Sequence, residues 1–176
     1  TEYGTLTQFL GSELERAELV TAVSHLFNFP SLLPAQAEIM ACTRRDENVL
    51  AILPTGAGKS LCYQLPAFMD EGLTLVISPL IALMKDQVDS LPEALRDRAV
   101  ALNSSLTHEQ IKQVMVGITN GRYALIYAAP ERLRHSPFLH ALREANLRRL
   151  VIAEAHCVSL WGQDIRPDFL HNATAH

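Results

Sequence analysis

Short apolar runs separated by longer amphipathic stretches organise the chain. Val49-Leu50-Ala51-Ile52, Leu73-Thr74-Leu75-Val76-Ile77-Ser78, Tyr123-Ala124-Leu125-Ile126-Tyr127 and Leu150-Val151-Ile152-Ala153 have the length and apolar content of buried strands, and Ala99-Val100-Ala101-Leu102-Asn103 is a weaker example. Between them the spacing turns helical. Leu14, Ala17, Val20, Val23 and Phe27 fall on one helical face. Ser12 with Glu15 makes a capping box that starts this helix, and Pro30 ends it, leaving residues 1–11 as a tail and 12–176 as one lobe. Pro34 opens a helix over about Ala35 to Cys42, and Thr43 to Asn48 reads as a charged loop. Further helices are predicted from about Leu80 to Leu91, from the second capping box at Thr107 and Gln110 to about Gly117, and from Pro137 to Ala145. Strands alternating with helices predict an α/β fold, a parallel sheet with helices on both faces. Ligands of such sheets bind at the carboxyl ends of the strands.

Composition narrows this picture. The chain has 176 residues, enough for about one domain, and is 48% hydrophobic, so it can bury a real core. Lys and Arg number 15 against 19 Asp and Glu, a formal net charge of −4. Any nucleic-acid surface is therefore a local patch on an acidic chain. Cys42, Cys62 and Cys157 are far apart, with no C-x-x-C pair, which argues against a zinc site or a disulfide framework and for a reducing compartment. No apolar run approaches the roughly 18 residues of a membrane span, and the first residues lack a basic-then-apolar leader pattern. A cytoplasmic location, at a bacterial nucleoid or in a nucleus, is expected, with no membrane partner. The chain has no internal repeat, low-complexity segment or interdomain linker.

The chemistry concentrates in Leu53-Pro54-Thr55-Gly56-Ala57-Gly58-Lys59-Ser60, between an apolar run and Leu61-Cys62-Tyr63-Gln64-Leu65. Strand, glycine turn and helix start are the context of a phosphate-binding loop. Gly56 and Gly58 let successive backbone N–H groups turn inward, Lys59 reaches the β- and γ-phosphates, and the Ser60 hydroxyl is placed to ligate Mg²⁺. Thr55, Gly56, Ala57, Gly58, Lys59 and Ser60 are thus candidate nucleotide-binding residues, with ATP and Mg²⁺ as the expected cofactors. The strict pattern has a glycine where this chain has Leu53. The competing reading is a glycine turn with a surface lysine.

These motifs and their order resemble the first RecA-like domain of RecQ-type DNA helicases, in the second helicase superfamily, from about Phe27 to Phe169. Phe27-Asn28-Phe29 with Gln36 resembles the family's adenine-reading motif, in which a glutamine amide bonds the base; the plainer reading of Gln36 is an exposed helical glutamine. Val76 to Gln87 resembles the motif that lies along the DNA backbone, where Ser78 and Lys85 would meet phosphates; by themselves these residues describe an ordinary strand–helix junction. Leu102-Asn103-Ser104-Ser105 and Tyr127 to Leu133 also match, and Arg132 reads either as a phosphate contact or as a structural ion pair. Ala153-Glu154-Ala155-His156 stands where the family has Asp-Glu-Ala-His. The resemblance implies catalytic roles for Lys59, Glu154 and His156, with Glu154 activating the attacking water. Cys157 to Phe169 is similar to the aromatic-rich loop of RecQ enzymes, which couples single-stranded DNA to ATP hydrolysis. Its Trp161 would stack on an unpaired base and its Arg166 would stack or pair with phosphate.

The departures fall on working positions. Ala153 replaces the first carboxylate of motif II, Leu33 an arginine of the adenine motif, and Leu160 and Ile165 a polar residue and a phenylalanine of the aromatic loop. The resemblance implies an ATP-dependent DNA helicase acting on single-stranded or partly duplex DNA, with a weakened motif II. It also implies a second lobe bearing an arginine finger in a longer protein, and no unwinding by these residues alone. The other reading is a nucleotide- or DNA-binding module that no longer hydrolyses ATP. A third, an unrelated phosphoryl-transfer enzyme on the same loop, leaves Trp161-Gly162 unexplained.

Overall fold

The computed structural model describes residues 6–51 and 58–153. They form two compact units, one ending at Asp70 and the other beginning at Glu71.

The first unit is helical. α1 spans Leu6–Phe27, α2 Pro34–Arg44 and α3 Leu61–Met69. α1 begins before Ser12, so the predicted N-cap lies within the helix and the helical stretch extends into the predicted tail. A capping box is a local signal and does not by itself stop a helix from starting earlier. Pro34 is the first residue of α2, where its fixed φ and missing N–H cost nothing, and the helix runs on through Thr43 into the stretch predicted as loop. Leu19, Val23, Met40, Leu65 and Phe68 are buried, and the Phe27 and Phe68 rings lie 6.3 Å apart. Arg44 ties the three helices together, with Nη1 3.1 Å from Glu18 on α1 and Nη2 3.1 Å from Asp70 at the end of α3. The expected strand Val49–Ile52 is corrected in its described part. Residues 48–51 enter no strand, and Val49 and Leu50 are 42% and 80% exposed. An apolar run of four residues becomes a strand only through a pairing partner, and the described part of this run has none in a ladder.

The second unit is built on a sheet of β1 (Leu73–Ile77), β2 (Ala99–Leu102), β3 (Leu125–Ala128) and β4 (Leu147–Ile152). The order is β2-β3-β1-β4 and every pairing is parallel, as the alternation predicts. β1 pairs Leu75 with Ile126 on one side and with Leu150 on the other. All residues of β1 and β3 are buried, as strands covered on both faces must be. The crossovers are α4 (Ile81–Asp89) with the short α5 (Glu93–Arg96), then α6 (His108–Thr119), then a 3₁₀ turn (Pro130–Arg134) with α7 (Ser136–Glu144). Val114 and Ile118 of α6 and Phe138, Ala141 and Leu142 of α7 pack with Leu73, Leu75, Ile77, Leu102, Ile126 and Ala128 in one apolar cluster. Thr107 caps α6 as predicted. Its Oγ1 accepts the Gln110 N–H at 3.2 Å, and Gln110 Oε1 accepts the Thr107 N–H at 2.9 Å.

Candidate nucleotide and nucleic-acid sites

In the first unit the end of the glycine loop runs directly into α3. Gly58 has φ +69°, a left-handed conformation that a side chain resists, and a Cβ there would also run into the Gln36 amide nitrogen. Ser60 stands at the N-cap with helical φ and ψ, and its hydroxyl does not cap the helix. The first turn closes on backbone groups, with Cys62 N–H donating to the Lys59 carbonyl at 3.1 Å and Gln64 N–H to that of Ser60 at 3.0 Å. Lys59 is exposed. A helix start with a lysine and an uncommitted hydroxyl suits an anion, since its backbone N–H groups and dipole favour negative charge. Thr55, Gly56 and Ala57 lie outside the described residues.

Gln36 is not an exposed helical glutamine. It is 7% exposed, its Oε1 accepts the Leu33 N–H at 3.0 Å, and its Nε2 donates to the Gly58 carbonyl at 3.2 Å. The adenine-like motif and the glycine loop therefore meet through one side chain. Phe29 stacks on Phe27 with ring centroids 6.2 Å apart and is half exposed, following Asn28 at φ +59°. Leu33, which stands where the resemblance places an arginine, is 55% exposed and has an apolar side chain. Cys62, which the sequence marks only as one of three dispersed cysteines, also meets the glycine loop. It is buried, its Sγ lies 3.8 Å from the Gly58 carbonyl, and burial pushes its thiol pKa up. The available signal was its spacing, four residues after Gly58 and one helical turn along.

In the second unit Ser78, Asn103, Ala129 and Ala153 follow β1, β2, β3 and β4 at the carboxyl edge of the sheet. Ser78 is buried and its Oγ accepts the Leu80 N–H at 3.2 Å, so this hydroxyl shapes the turn into α4. Lys85 is exposed on α4. Arg132 is half-buried and directs Nη2 to the Asn103 carbonyl at 3.4 Å, joining the ends of β2 and β3. Asn103, which the sequence reading gave no role, turns its own loop by accepting the Ser105 N–H at 2.9 Å. Ala153 continues the β4 ladder, its N–H donating to the Ile77 carbonyl at 3.0 Å, and its side chain carries no oxygen. Glu154, His156, Trp161 and Arg166 lie outside the described residues. Among the described residues no three His, Cys, Asp or Glu side chains gather into a metal site, and no helix is long and apolar enough to cross a membrane.

An all-parallel α/β sheet in one unit and a Gly-Lys-Ser turn running into a helix in the other are the parts of a phosphate-loop NTPase lobe. The family profile of DEAD/DEAH box helicases matches residues 33–173. The chain belongs to this family, and its similarity is to RecQ-type members. It is 44% identical over 157 residues to the ATP-dependent DNA helicase RecQ of Bacillus subtilis, covering 89% of this chain and 26% of that protein. Identity is 40% over 160 residues to RecQ of Haemophilus influenzae, covering 91% of this chain and again 26% of the relative. It is 44% over 158 residues to the rat ATP-dependent DNA helicase Q5, covering 85% and 16%. The chain thus spans about a quarter of the length of the bacterial relatives. The fold is that of the DUF1998 helicase MrfA, solved bound to DNA and AMPPNP, with a TM-score of 0.60 over 79% of this chain and 21% of that one at 22% identity.

Proposed function

We propose that the chain is the nucleotide-binding first lobe of a RecQ-type ATP-dependent DNA helicase, acting with a second lobe in a longer protein. The observation that carries this reading is the junction of Gly58, Lys59 and Ser60 with Gln36, a phosphate-loop exit in contact with the residue that reads adenine in the family. ATP is bound through loop N–H groups and Lys59, whose ammonium balances the β- and γ-phosphates. The donors suit a Mg²⁺ ion carried in on the nucleotide, with the uncommitted Ser60 hydroxyl as its protein ligand. When bound, Mg²⁺ neutralises charge that develops between the β- and γ-phosphates. Glu154 takes the proton of the attacking water, and His156 accompanies it in motif II. Ala153 contributes no oxygen, so turnover is slow. DNA is held by Lys85 and Arg132 on its phosphates, with Ser78 supporting the turn beneath them, and by Trp161 and Arg166 on unpaired bases.

The test is ATP turnover with and without single-stranded DNA, measured on the chain joined to its second lobe. The expected result is slow, Mg²⁺-dependent hydrolysis that rises with DNA and disappears in Lys59→Ala. Turnover that ignores both DNA and Lys59→Ala would contradict the reading.

A further inference from the structure

The Gly58 carbonyl accepts from two buried side chains on two different helices. Gln36 Nε2 reaches it at 3.2 Å from α2, and Cys62 Sγ lies 3.8 Å away on α3. Gln36 is itself fixed at its other end, because its Oε1 holds the Leu33 N–H at the start of α2. Gln36 and Cys62 are 7% and 6% exposed, whereas Gly58 and Lys59 are exposed. Two buried donors therefore grip one peptide unit at the surface. That unit joins Gly58 to Lys59, and it is trans, as are all described peptides. In a planar trans peptide the C=O and N–H point in opposite directions. Fixing the Gly58 oxygen on the protein side turns the Lys59 N–H the other way, away from the Gln36 amide. The left-handed φ of Gly58 is the backbone condition for this arrangement.

We propose that Gln36, seconded by Cys62, is a positioning residue for polyphosphate: it orients the Gly58–Lys59 peptide so that the Lys59 N–H is presented to the phosphate chain, whether or not a base is attached. The proposal rests on the nucleotide-binding reading above and adds a second task to a residue whose family role is to read the base. Nε2 carries two N–H donors, so holding the Gly58 carbonyl with one does not by itself exclude contact with a base. A thiol is a weak donor, which makes Gln36 the stronger of the two holds.

The probe is tripolyphosphate, which has the phosphates of ATP and no base. Its dissociation constant and that of ATP are measured by calorimetry for the wild-type chain, Gln36→Ala, Gln36→Glu, Cys62→Ser and Lys59→Ala. Gln36→Glu keeps the acceptor for the Leu33 N–H and replaces the donor with an oxygen facing the Gly58 carbonyl, so it tests the same bond if Gln36→Ala fails to fold. Circular dichroism identifies any unfolded variant. The expected result is a loss of tripolyphosphate affinity of about fivefold in Gln36→Ala, the scale of one hydrogen bond, and at least as much in Gln36→Glu. Cys62→Ser, which restores a hydroxyl donor, should remain within about twofold of wild type on that scale. In ¹⁵N-labelled protein, the Lys59 amide resonance should move on adding tripolyphosphate to the wild type and move less in Gln36→Glu. Folded Gln36 variants that lose ATP affinity but keep that for tripolyphosphate would overturn the proposal and leave Gln36 as a base reader only. Wild-type protein that binds neither ligand, or binds both as well as Lys59→Ala does, would overturn the nucleotide-binding reading beneath it.

Discussion

Lys59 and Ala153 pull the chemistry in opposite directions. In the proposed function the lysine and its loop hold a nucleotide, while the alanine supplies no oxygen where the RecQ resemblance places a motif II carboxylate. Binding should therefore survive better than turnover. Restoring Ala153→Asp in a two-lobe protein should raise Mg²⁺-dependent ATPase on the order of 10²–10³-fold, the scale of one preorganised electrostatic group, and lower the Mg²⁺ needed for half-maximal rate. Glu154→Gln in that background should abolish the gain, because it keeps the shape and loses the base. An unchanged rate and Mg²⁺ requirement in Ala153→Asp would show that the defect lies elsewhere. Leu33 has a parallel consequence. With no cation at this position, discrimination between ATP and GTP should be weak, which competition binding would reveal. Cys62 gives a pH prediction. Burial raises its thiol pKa in the folded state, so its share of stability is complete below the unfolded value of about 8.5 and is lost as pH rises through the folded value. With Cys42 and Cys157 replaced by serine, Cys62 should react with a disulfide reagent far more slowly at pH 8 when folded than in urea. Equal rates would show that the thiol is not shielded.

At the scale of elements, the local signals carried furthest. Thr107 and Gln110 form the capping box that their spacing announces, and Thr107→Ala should cost about 1 kcal/mol in urea unfolding. Phe138 is fully buried under the sheet, and Phe138→Ala should cost about 3–5 kcal/mol by the same measurement. The runs at Leu73 and Leu125 became parallel strands, apolar apart from Thr74, and so did the run from Leu150, although β4 begins three residues earlier and takes in Arg148 and Arg149, which no apolar pattern marks. What escaped the sequence was non-local or cumulative. Val49 and Leu50 look as apolar as any strand, yet strand formation depends on a neighbour that pattern cannot supply. The start of α1 depended on residues before Ser12 that show no periodicity. The Arg44 bridges to Glu18 and Asp70 join positions with no sequence signature. In the candidate site, the glycine loop and Gln36 were both legible as motifs. Their hydrogen bond was not, because it spans 22 positions and needs the packing of α2 on α3.

For the whole molecule, charge bounds what DNA binding can look like. The chain has a formal net charge of −4, and the proposed function puts only Lys85, Arg132 and Arg166 among its cations on DNA. Single-strand affinity should be weak and salt-sensitive, with a log–log slope corresponding to about two or three phosphates. Trp161 emission should fall as DNA saturates, and DNA that binds without changing it would move the contact away from the aromatic loop. All of this stands on nucleotide binding at the glycine loop. The most direct measurement is a calorimetric titration of this chain with ATP in the presence of Mg²⁺, run beside Lys59→Ala. Saturable binding in the wild type that disappears in the variant is the predicted result. Equal affinity in the two proteins, or none in either, would contradict it.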